Sequence, residues 1–358
     1  MYDVVILGAG KIGRLVTRLL DGTGEYRLRV GDAHAGNLET VGRTLRHGST
    51  QRVDFDANSE LDAILHGARA VLSCAPFRHN KRIAERAKAH GAHYLDLTED
   101  VAVTHHVKAL AKDAKTAFIP QCGLAPGFIS IAGMHLVRGM SEIQELNLRV
   151  GALPRFPTNA LRYNLTWSTD GLVNEYCNPC EALIDGRKVE VPPLEQVEQL
   201  SIDGVPYEAF NTSGGLGTLA ETLAGKARHV NYKTLRYPGH RDLVKFLLHD
   251  LRFREHREEL VRIFDRALPT TTDDVVVIFA YAKGTENGRY VEKTYAHRVQ
   301  HREMHGELWS AIQVTTAGGI CAVADLLLQG RLPQQGFVRQ EDVRHEEFLA
   351  NRFGRCFA

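Results

Sequence analysis

The first third of the chain alternates short β-rich runs with helix-like segments. Strands that alternate with helices in this way run parallel, because each crossover helix returns the chain to the same end of the sheet. The pattern therefore predicts an α/β fold over residues 1–121, a doubly wound parallel sheet of the Rossmann type. The predicted strands contain the runs VVIL, LRVGD, RVDF, AVLSCAP, YLDLT and AFIPQ.

Two of the helices in this region have readable ends. The first carries apolar residues at helical spacing from Ile12 to Leu20, and Gly22 predicts its end. For the third, Ser59 followed by Asp62 three residues later predicts a capped N-terminus, and Gly67 predicts its end.

The stretch GAGKIG lies directly between the first strand and the first helix. Gly8 permits the tight turn, Gly10 lets the backbone approach a pyrophosphate, and Gly13 lets the helix pack on the strand. The helix N-terminus adds partial positive charge. With Asp32 at the end of the second strand, the full pattern predicts a bound dinucleotide.

Asp32 also favours NAD over NADP. Its carboxylate can accept hydrogen bonds from the ribose hydroxyls, whereas a 2′-phosphate in that place would face a like charge. Ala33 and His34 follow it, rather than an arginine.

Ligands of doubly wound sheets bind at the carboxyl ends of the strands, and this rule extends the expected cofactor site. Besides the three glycines and Asp32, we expect it to include Lys11, Ile12, Ala33, Asp54, Phe55, Ser73, Cys74, Ala75, Pro76, Asn80, Leu95 and Asp96.

After Gln121 the pattern changes to an apolar helix followed by strands with hairpin signals. Asp185-Gly186, Asp203-Gly204 and Asn287-Gly288 are dipeptides typical of tight hairpin turns. The segment LRYNLTWS reads as a further strand. We predict a second, α+β domain with a largely antiparallel mixed sheet over residues 122–308. A C-terminal helical segment, 309–358, is expected to return to the first domain, with a cleft between the two domains.

A second glycine cluster, FNTSGGLGTLAE, starts at residue 210. A phosphate loop would end in Gly-Lys-Ser/Thr, and this stretch has no such lysine. It is either a substrate loop or the end of a glycine-rich hairpin.

Composition bounds the choice of partner. Of 358 residues, 44 are basic and 43 acidic, so the net charge of +1 gives no reason to expect nucleic acid or an anionic membrane. A small-molecule ligand and a cytoplasmic location are expected. Cys177 and Cys180 have metal-ligand spacing but lack a matching second pair, so no metal site is expected.

Several motifs together resemble the saccharopine dehydrogenase-like family, and within it most the NAD-dependent lysine 6-dehydrogenase branch. The resemblance covers nearly the whole chain. The motifs are GAGKIG, SCAP, GLAPGFIS, VGALP, YNLTWSTDGLVNEY, NTSGG, TLRYPGH and GFVRQED.

The resemblance implies oxidation of the ε-amino group of L-lysine with NAD, giving a semialdehyde that cyclises to piperideine-6-carboxylate. It also implies a homodimer or higher homo-oligomer. Saccharopine-forming relatives carry GLDPG where this chain has Ala125, and a Tyr-Pro-Asn-Arg-Asp loop where it has NTSGG. Both departures remove charge and favour a smaller substrate. The alternatives are a saccharopine, opine or carboxynorspermidine-type dehydrogenase, or an NAD-sensing protein without turnover.

Candidate residues for the chemistry follow from this. Asp96 could hold or deprotonate the amine, cap the next helix or contact the ribose, and His240 is a second base candidate. Arg236 could pair with the substrate carboxylate, and Glu175 could receive its α-ammonium group. The strand-and-turn context of Glu175 would also be satisfied without a ligand. The other expected substrate contacts are Gly123, Leu124, Ala125, Trp167, Ser168, Tyr176, Thr212, Ser213 and Gly214.

Overall fold

The computed structural model describes residues 1–358, and the chain forms two compact units. Unit 1 comprises residues 1–128 and 315–358, and unit 2 comprises residues 129–314. These limits lie seven residues beyond the expected boundary at 121 and six beyond that at 308.

Unit 1 is built on a seven-stranded sheet in which every pairing is parallel, in the order β17-β6-β5-β4-β1-β2-β3. The direction of strand order reverses between β1 and β4, which is the switch point of a doubly wound sheet. The predicted Rossmann-type fold is confirmed. The strands are β1 Tyr2–Leu7, β2 Tyr26–Asp32, β3 Gly48–Arg52, β4 Ala70–Ser73, β5 His93–Asp96, β6 Ala117–Ile119 and β17 Gly336–Phe337.

The crossover helices alternate with these strands, as expected. They are α1 Lys11–Asp21, α2 Ala35–Gly42, α3 Asn58–Leu65, α4 Phe77–Ala89 and α5 Val101–Ala111. The C-terminal residues add α11 Ala311–Leu328 and α12 His345–Ala350.

The C-terminal segment completes unit 1 through backbone and side-chain contacts. Strand β17 pairs with β6 at the edge of the sheet. Arg352 forms ion pairs with Glu25 at 2.7 Å and Asp325 at 2.8 Å, and Tyr26 donates a short hydrogen bond to Asp325. In α11, a Cβ at Gly319 would lie 2.7 Å from the carbonyl oxygen of Cys122, so the helix packs there through its backbone.

Two local predictions in unit 1 are wrong. The third strand ends at Arg52, so most of the run RVDF lies beyond it. Helix α3 has Ala57 as its N-cap and no side-chain cap. Asp62 does not support a cap at Ser59, because its carboxylate accepts hydrogen bonds from Arg86 at 2.6 Å and pairs with His90 at 2.9 Å.

Unit 2 contains an eight-stranded mixed sheet. Its main path is β10-β11-β12-β7-β13-β14, and the β8-β9 hairpin branches from β12. The central β7 pairs parallel with β12 and antiparallel with β13. Its strands are β7 Glu142–Pro154, β8 Cys180–Ile184, β9 Arg187–Val191, β10 Glu198–Ile202, β11 Val205–Asn211, β12 Ala227–Arg236, β13 Asp274–Glu286 and β14 Arg289–Gln300. A separate small pair is β15 Arg302–Met304 and β16 Glu307–Trp309.

The three hairpins of unit 2 turn where the sequence predicted. Both residues of Asn287-Gly288, for example, have positive φ, at 51° and 74°. A turn of that geometry follows the twist of the strands it joins. The helices of this region are α6 Phe128–Val137, α7 Thr169–Cys177, α8 Leu219–Leu223, α9 His240–Lys245 and α10 Arg257–Ala267, with a π-helical turn at Phe246–Asp250 and a 3-10 turn at Phe253–Glu255.

The segment LRYNLTWS is not a strand. Only Leu165 makes an isolated bridge there, with Thr270. The Asn159 side chain instead bonds the carbonyl of Tyr163 at 2.7 Å and holds the chain in a turn. The residues that follow form helix α7, so Glu175, read as a strand-and-turn residue, is helical.

Helix α11 is a long apolar helix. It has 18 residues and a mean hydropathy of 1.6, enough by length and composition to cross a membrane. In the structure 89% of it is buried inside the protein. Its apolar surface is therefore covered by the protein itself, as in a core helix.

Candidate functional site

The glycine loop of unit 1 has the geometry that dinucleotide binding requires. Gly8 has φ of +96°, and a Cβ there would lie 2.6 Å from the carbonyl oxygen of Cys74. A Cβ at Gly13 would overlap the carbonyl of Gly8, so only glycine lets α1 approach this closely. Around Gly10 no heavy atom lies within 4 Å of a Cβ position, which leaves open space in front of the helix.

The first turn of α1 follows the glycine loop directly. Gly10 is the N-cap, no side chain caps the helix, and the first turn, which contains Lys11 and Ile12, has no acidic residue. The uncapped N–H groups and the positive end of the helix dipole suit a pyrophosphate. The residues present therefore fit the diphosphate of a dinucleotide.

Asp32 lies at the carboxyl end of β2, beside this loop. Its Oδ2 accepts a hydrogen bond from the backbone N–H of Ala9 at 2.6 Å, and its Oδ1 accepts one from the N–H of His34 at 2.7 Å. The side chain of Asn37 reaches Oδ2 at 3.3 Å. Ala33 is exposed next to it. The acid is thus fixed against the glycine loop, where a ribose bound to that loop would reach it.

Other expected cofactor residues line the remaining strand ends. After β4, Ser73 donates to the side chain of Asn80 at 2.7 Å, and both residues are buried. Cys74 and Ala75 are partly exposed and Pro76 is exposed. Burial raises the pKa of the Cys74 thiol to about 12, so it is not a thiolate at neutral pH.

At the end of β3, Asp54 is exposed, while Phe55 is 6% exposed. The ring of Phe55 meets that of His79 edge-on, with centroids 5.6 Å apart. His79 was not among the expected residues, because α4 brings it here from elsewhere in the sequence. The pair offers an aromatic wall at the adenosine end of the strand edge.

Asp96 is completely buried at the end of β5, next to the buried Leu95. Its Oδ1 accepts from the backbone N–H groups of Thr98 at 3.0 Å and Gln121 at 2.9 Å, and its Oδ2 accepts from the Tyr94 hydroxyl at 2.7 Å. Burial raises its pKa, while these hydrogen bonds oppose the shift. The suggestion that it caps the next helix is wrong, because Asp100 accepts from Val103 and is the N-cap of α5.

The GLAPG segment follows in the same unit. Gly123 and Leu124 are buried and Ala125 is partly exposed. The backbone N–H of Phe128 donates to the carbonyl of Gly123 at 3.0 Å. That N–H group is therefore bonded within the chain.

In unit 2 a buried polar cluster joins β12, α7 and α9. Arg236, 2% exposed, donates from Nη2 to Glu175 at 2.9 Å, from Nε to the Tyr176 hydroxyl at 2.8 Å, and from Nη1 to Thr234 and the carbonyl of Leu235. Its guanidinium carbon lies 5.3 Å from the ring centroid of Tyr163. Four of its five N–H groups are thus used inside the protein.

His240 belongs to the same cluster. It is 1% exposed at the start of α9, with Nδ1 2.8 Å from the carbonyl of Leu161 and Nε2 3.0 Å from the Tyr176 hydroxyl. Burial, and then the charge of Arg236, lower its pKa to about 3. The ring is neutral, so Nδ1–H donates to Leu161 and Nε2 accepts from Tyr176. Both nitrogens are engaged.

The NTSGG loop runs beside this cluster. The N–H of Ser213 donates to the backbone carbonyl of Glu175 at 3.0 Å, and a Cβ at Gly215 would overlap the ring of Tyr232. Gly214 is partly exposed, whereas Thr212 is 3% exposed and its hydroxyl has no hydrogen-bond partner. The helix that follows, α8, has only five residues. The loop is not a phosphate cradle of the Gly8 type.

Trp167 and Ser168 support the cluster. Trp167 donates from its indole nitrogen to the Tyr163 hydroxyl at 3.0 Å, and Ser168 is the N-cap of α7, accepting from Gly171 at 3.2 Å. Ser168 is exposed. Sequence reasoning missed Tyr163 and Tyr232, although YNLTW and NYKTL place aromatic residues on the segments that carry the cluster.

The fold and the strand-end loop of unit 1 define a protein that binds a nicotinamide dinucleotide, with a second, mixed-sheet domain. Comparisons with known proteins agree. Residues 4–119 match the sequence model of the saccharopine dehydrogenase NADP binding domain, and residues 123–354 match that of the saccharopine dehydrogenase C-terminal domain. The chain belongs to the saccharopine dehydrogenase family.

Individual relatives are distant. The chain is 21% identical over 254 residues to the mitochondrial alpha-aminoadipic semialdehyde synthase of Bos taurus, and 20% identical over 251 residues to that of Mus musculus. These matches cover 66% and 64% of this chain but only 27% of each relative.

A similar fold occurs in the apo saccharopine dehydrogenase (L-Glu forming) of Saccharomyces cerevisiae. The TM-score is 0.74 at 16% identity, and the match covers 95% of this chain and 94% of that one. Both units are thus present in a solved structure of the family.

Proposed function

We propose that the protein is an NAD-dependent dehydrogenase that oxidises the ε-amino group of L-lysine. The product is an imine that water hydrolyses to the semialdehyde and ammonia, and the semialdehyde cyclises to piperideine-6-carboxylate. Membership of the saccharopine dehydrogenase family supports an amino-acid dehydrogenase, and the similar proteins include an alpha-aminoadipic semialdehyde synthase and a saccharopine dehydrogenase. The choice of free lysine as the substrate, instead of an opine, rests on the buried charges of unit 2.

The observation that carries the proposal is that every lysine and arginine side chain buried in unit 2 already has an acidic partner. These side chains are Arg149, Lys233 and Arg236. Arg149 and Lys233 share Glu198, and Arg236 pairs with Glu175. An opine such as saccharopine brings three carboxylates, and a buried carboxylate without a partner is strongly disfavoured. Lysine brings one carboxylate instead of three, so it adds two fewer negative charges to a region whose cations are already paired.

The NTSGG loop supports the same choice. None of its three side chains ionises, and Thr212 offers a buried hydroxyl without a partner. A neutral loop can form hydrogen bonds with the polar groups of a small substrate. It cannot neutralise the two further carboxylates that an opine such as saccharopine brings. The alternative of a saccharopine, opine or carboxynorspermidine-type enzyme therefore has less support.

NAD is proposed as the cofactor because of Asp32. The matching domain model is described as NADP binding, but the carboxylate of Asp32 is buried beside the glycine loop and is followed by exposed Ala33. A 2′-phosphate there would meet a negative charge instead of an arginine.

A dinucleotide held by the glycine loop and Asp32 would supply the hydride acceptor for oxidation at the ε-carbon. Hydride can leave only when that carbon bears a neutral amine, so a proton must first leave the ammonium group. Asp96 and His240 are the candidate bases. Asp96 uses three of about four acceptor positions, and burial raises its pKa whereas burial lowers that of His240, so Asp96 is the better proton acceptor of the two. His240, with its pKa near 3 and both nitrogens engaged, is better suited to orient Tyr176.

A panel of amines and amino acids tests the proposal. Purified protein is mixed with NAD and each compound, and NADH is read by absorbance. L-lysine should give the highest kcat/KM, with a six-carbon cyclic imine as product. Turnover of NADH with semialdehyde plus glutamate or a diamine, at a higher rate, would assign the opine-forming alternative. Tight NADH binding without turnover of any amine would indicate an NAD-sensing protein.

A further inference from the structure

In the ion pair of Arg236 and Glu175, the glutamate side chain is more exposed to solvent than the arginine side chain. The Arg236 side chain is 3% exposed, whereas that of Glu175 is 12% exposed. The contact joins Nη2 to Oε1 at 2.9 Å. Of the two charges, the carboxylate is the one that a ligand can approach.

The donors of Arg236 are used in a way that excludes fork-like recognition of a carboxylate. A fork needs two adjacent N–H groups on one side of the guanidinium. Nε is given to Tyr176 and both Nη1 hydrogens go to Thr234 and Leu235, so a single Nη2 N–H remains. The residue cannot offer two parallel hydrogen bonds without breaking contacts to its own chain.

A series of hydrogen bonds through Tyr176 and His240 holds the Arg236 guanidinium in this arrangement. The Leu161 carbonyl accepts from Nδ1–H of His240, Nε2 of His240 accepts from the Tyr176 hydroxyl, and that hydroxyl accepts from Nε–H of Arg236. Each donor meets one acceptor, so the direction of every hydrogen bond is determined. Buried networks in which all members are satisfied hold their groups rigidly.

We propose that Arg236 is a positioning residue that aims the Glu175 carboxylate at the α-ammonium group of the substrate, and that it does not bind the substrate carboxylate. Tyr176 and His240 keep the Arg236 guanidinium in place through their hydrogen bonds. The inference rests on the proposed function for the identity of the substrate. The inference assigns the α-ammonium group of the amino acid, and not its carboxylate, as the group that this cluster of unit 2 recognises.

Binding of lysine analogues in the presence of NADH tests the assignment without turnover. Calorimetric titration would use L-lysine, 6-aminohexanoate, which lacks the α-amine, and cadaverine, which lacks the carboxylate. Because hydrogen-bonded charges are worth more than neutral contacts, loss of the α-amine should weaken wild-type binding by about 10- to 100-fold. Loss of the carboxylate should weaken it less.

Variants of Glu175 and Arg236 then show which group of the substrate each residue recognises. Glu175→Gln should bring the affinities for lysine and 6-aminohexanoate to within about threefold of one another, since the charge that distinguishes them is gone. Arg236→Gln should have the same selective effect, Arg236→Lys should recover part of the preference, and combining Glu175→Gln with Arg236→Gln should add little. Tyr176→Phe, which keeps the ring, should reduce the preference in the same direction and serves if Arg236→Gln does not fold.

The chain offers a matched control pair. Arg149, whose side chain is 4% exposed, contacts Glu198, whose side chain is 42% exposed, at 2.9 Å. Arg149 lies on the opposite face of the same sheet from Arg236. Arg149→Gln should lower the melting temperature but leave the ratio of the two affinities unchanged. A purely structural role for Arg236 would give that same result.

Two further outcomes would overturn the inference. In one, Arg236→Gln removes the difference between lysine and cadaverine while the difference between lysine and 6-aminohexanoate persists, which would mean direct carboxylate binding. In the other, wild-type protein binds no lysine at all. If lysine binds with the expected preference but no NADH forms from lysine and NAD, the proposed function fails while the role of the pair stands.

Discussion

The backbone N–H of Ala9 donates a 2.6 Å hydrogen bond to Oδ2 of Asp32. One carboxylate thereby ties the end of β2 to the glycine loop after β1. Its other oxygen, Oδ1, is held by the N–H of His34. The acid that we propose to discriminate between NAD and NADP is thus held by the glycine loop itself.

Replacing this acid should change the cofactor preference. We expect Asp32→Ala combined with Ala33→Arg to raise the NADP/NAD ratio of kcat/KM by at least about tenfold, because a repelling carboxylate is exchanged for a cation that can pair with the 2′-phosphate. Asp32→Asn, which removes only the charge, is the control and should shift the ratio less. An unchanged ratio in the double variant would mean that the adenosine end is read by other residues.

Gly10 and Gly13 should respond differently to a side chain. A side chain at Gly10 enters open space in front of α1, so Gly10→Val should abolish NADH binding and leave the melting temperature nearly unchanged. A Cβ at Gly13 overlaps the Gly8 carbonyl, so Gly13→Ala should destabilise unit 1 itself. Calorimetric titration with NADH and thermal unfolding separate the two effects. Undiminished affinity in Gly10→Val would contradict the assignment of the loop.

Most of unit 1 could be predicted because its signals are local. Alternating strands and helices, the glycine spacing and the acid after β2 lie within a short stretch of sequence. The third strand was displaced because β3 is formed by Gly48–Arg52, a wholly exposed edge strand that lacks the apolar residues by which strands are recognised. Asp62 was misread as a capping residue because its partners, Arg86 and His90, come from α4 and the residue after it.

The cluster of unit 2 could be predicted only in part. The sequence named Glu175, Tyr176, Arg236 and His240, and the structure brings all four into one hydrogen-bonded group. It did not show that they bond mainly to one another. That depends on α7, α9 and β12 meeting in space, and on Ser168, whose capping of α7 is visible as Ser-Thr-Asp-Gly but was interpreted as the end of a strand.

Gly215 should tolerate no larger residue while Tyr232 is present. A Cβ at this position overlaps the Tyr232 ring, and overpacking a buried site costs about 1 to 3 kcal/mol of unfolding free energy. Gly215→Ala should therefore lower stability, and adding Tyr232→Leu should restore part of it. Urea unfolding of the two single variants and the double variant measures the coupling. Strict additivity would show that the loop does not rest on this ring.

His240 should make the protein sensitive to acid. Its pKa is lowered to about 3 in the folded protein, whereas a histidine in the unfolded chain titrates near 6.5. Between pH 3 and pH 6.5, the unfolded chain therefore binds a proton at this residue and the folded chain does not. Stability therefore falls as pH drops through 6.5. Between pH 7.5 and pH 5 one such histidine removes about 2 kcal/mol of unfolding free energy.

Substitution should reduce that loss. His240→Asn is expected to be less stable than wild type at pH 7.5, because it loses the hydrogen bonds to Tyr176 and Leu161, but to lose about 2 kcal/mol less between pH 7.5 and pH 5. His249→Asn, at an exposed position in the same unit, is the control and should follow wild type. Denaturant unfolding at both pH values provides the measurement, and identical pH dependence in all three proteins would refute a neutral buried His240.

The central claim is that the enzyme oxidises lysine itself, since the buried cations of unit 2 are already paired and the NTSGG loop carries no charge. Initial rates of NADH formation from NAD with L-lysine and with saccharopine, at matched concentrations, test it most directly. Lysine should reduce NAD, and saccharopine should react at least about 100-fold more slowly, because its extra carboxylates would be buried without partners. Faster turnover of saccharopine than of lysine would contradict both the substrate and the role given to the loop.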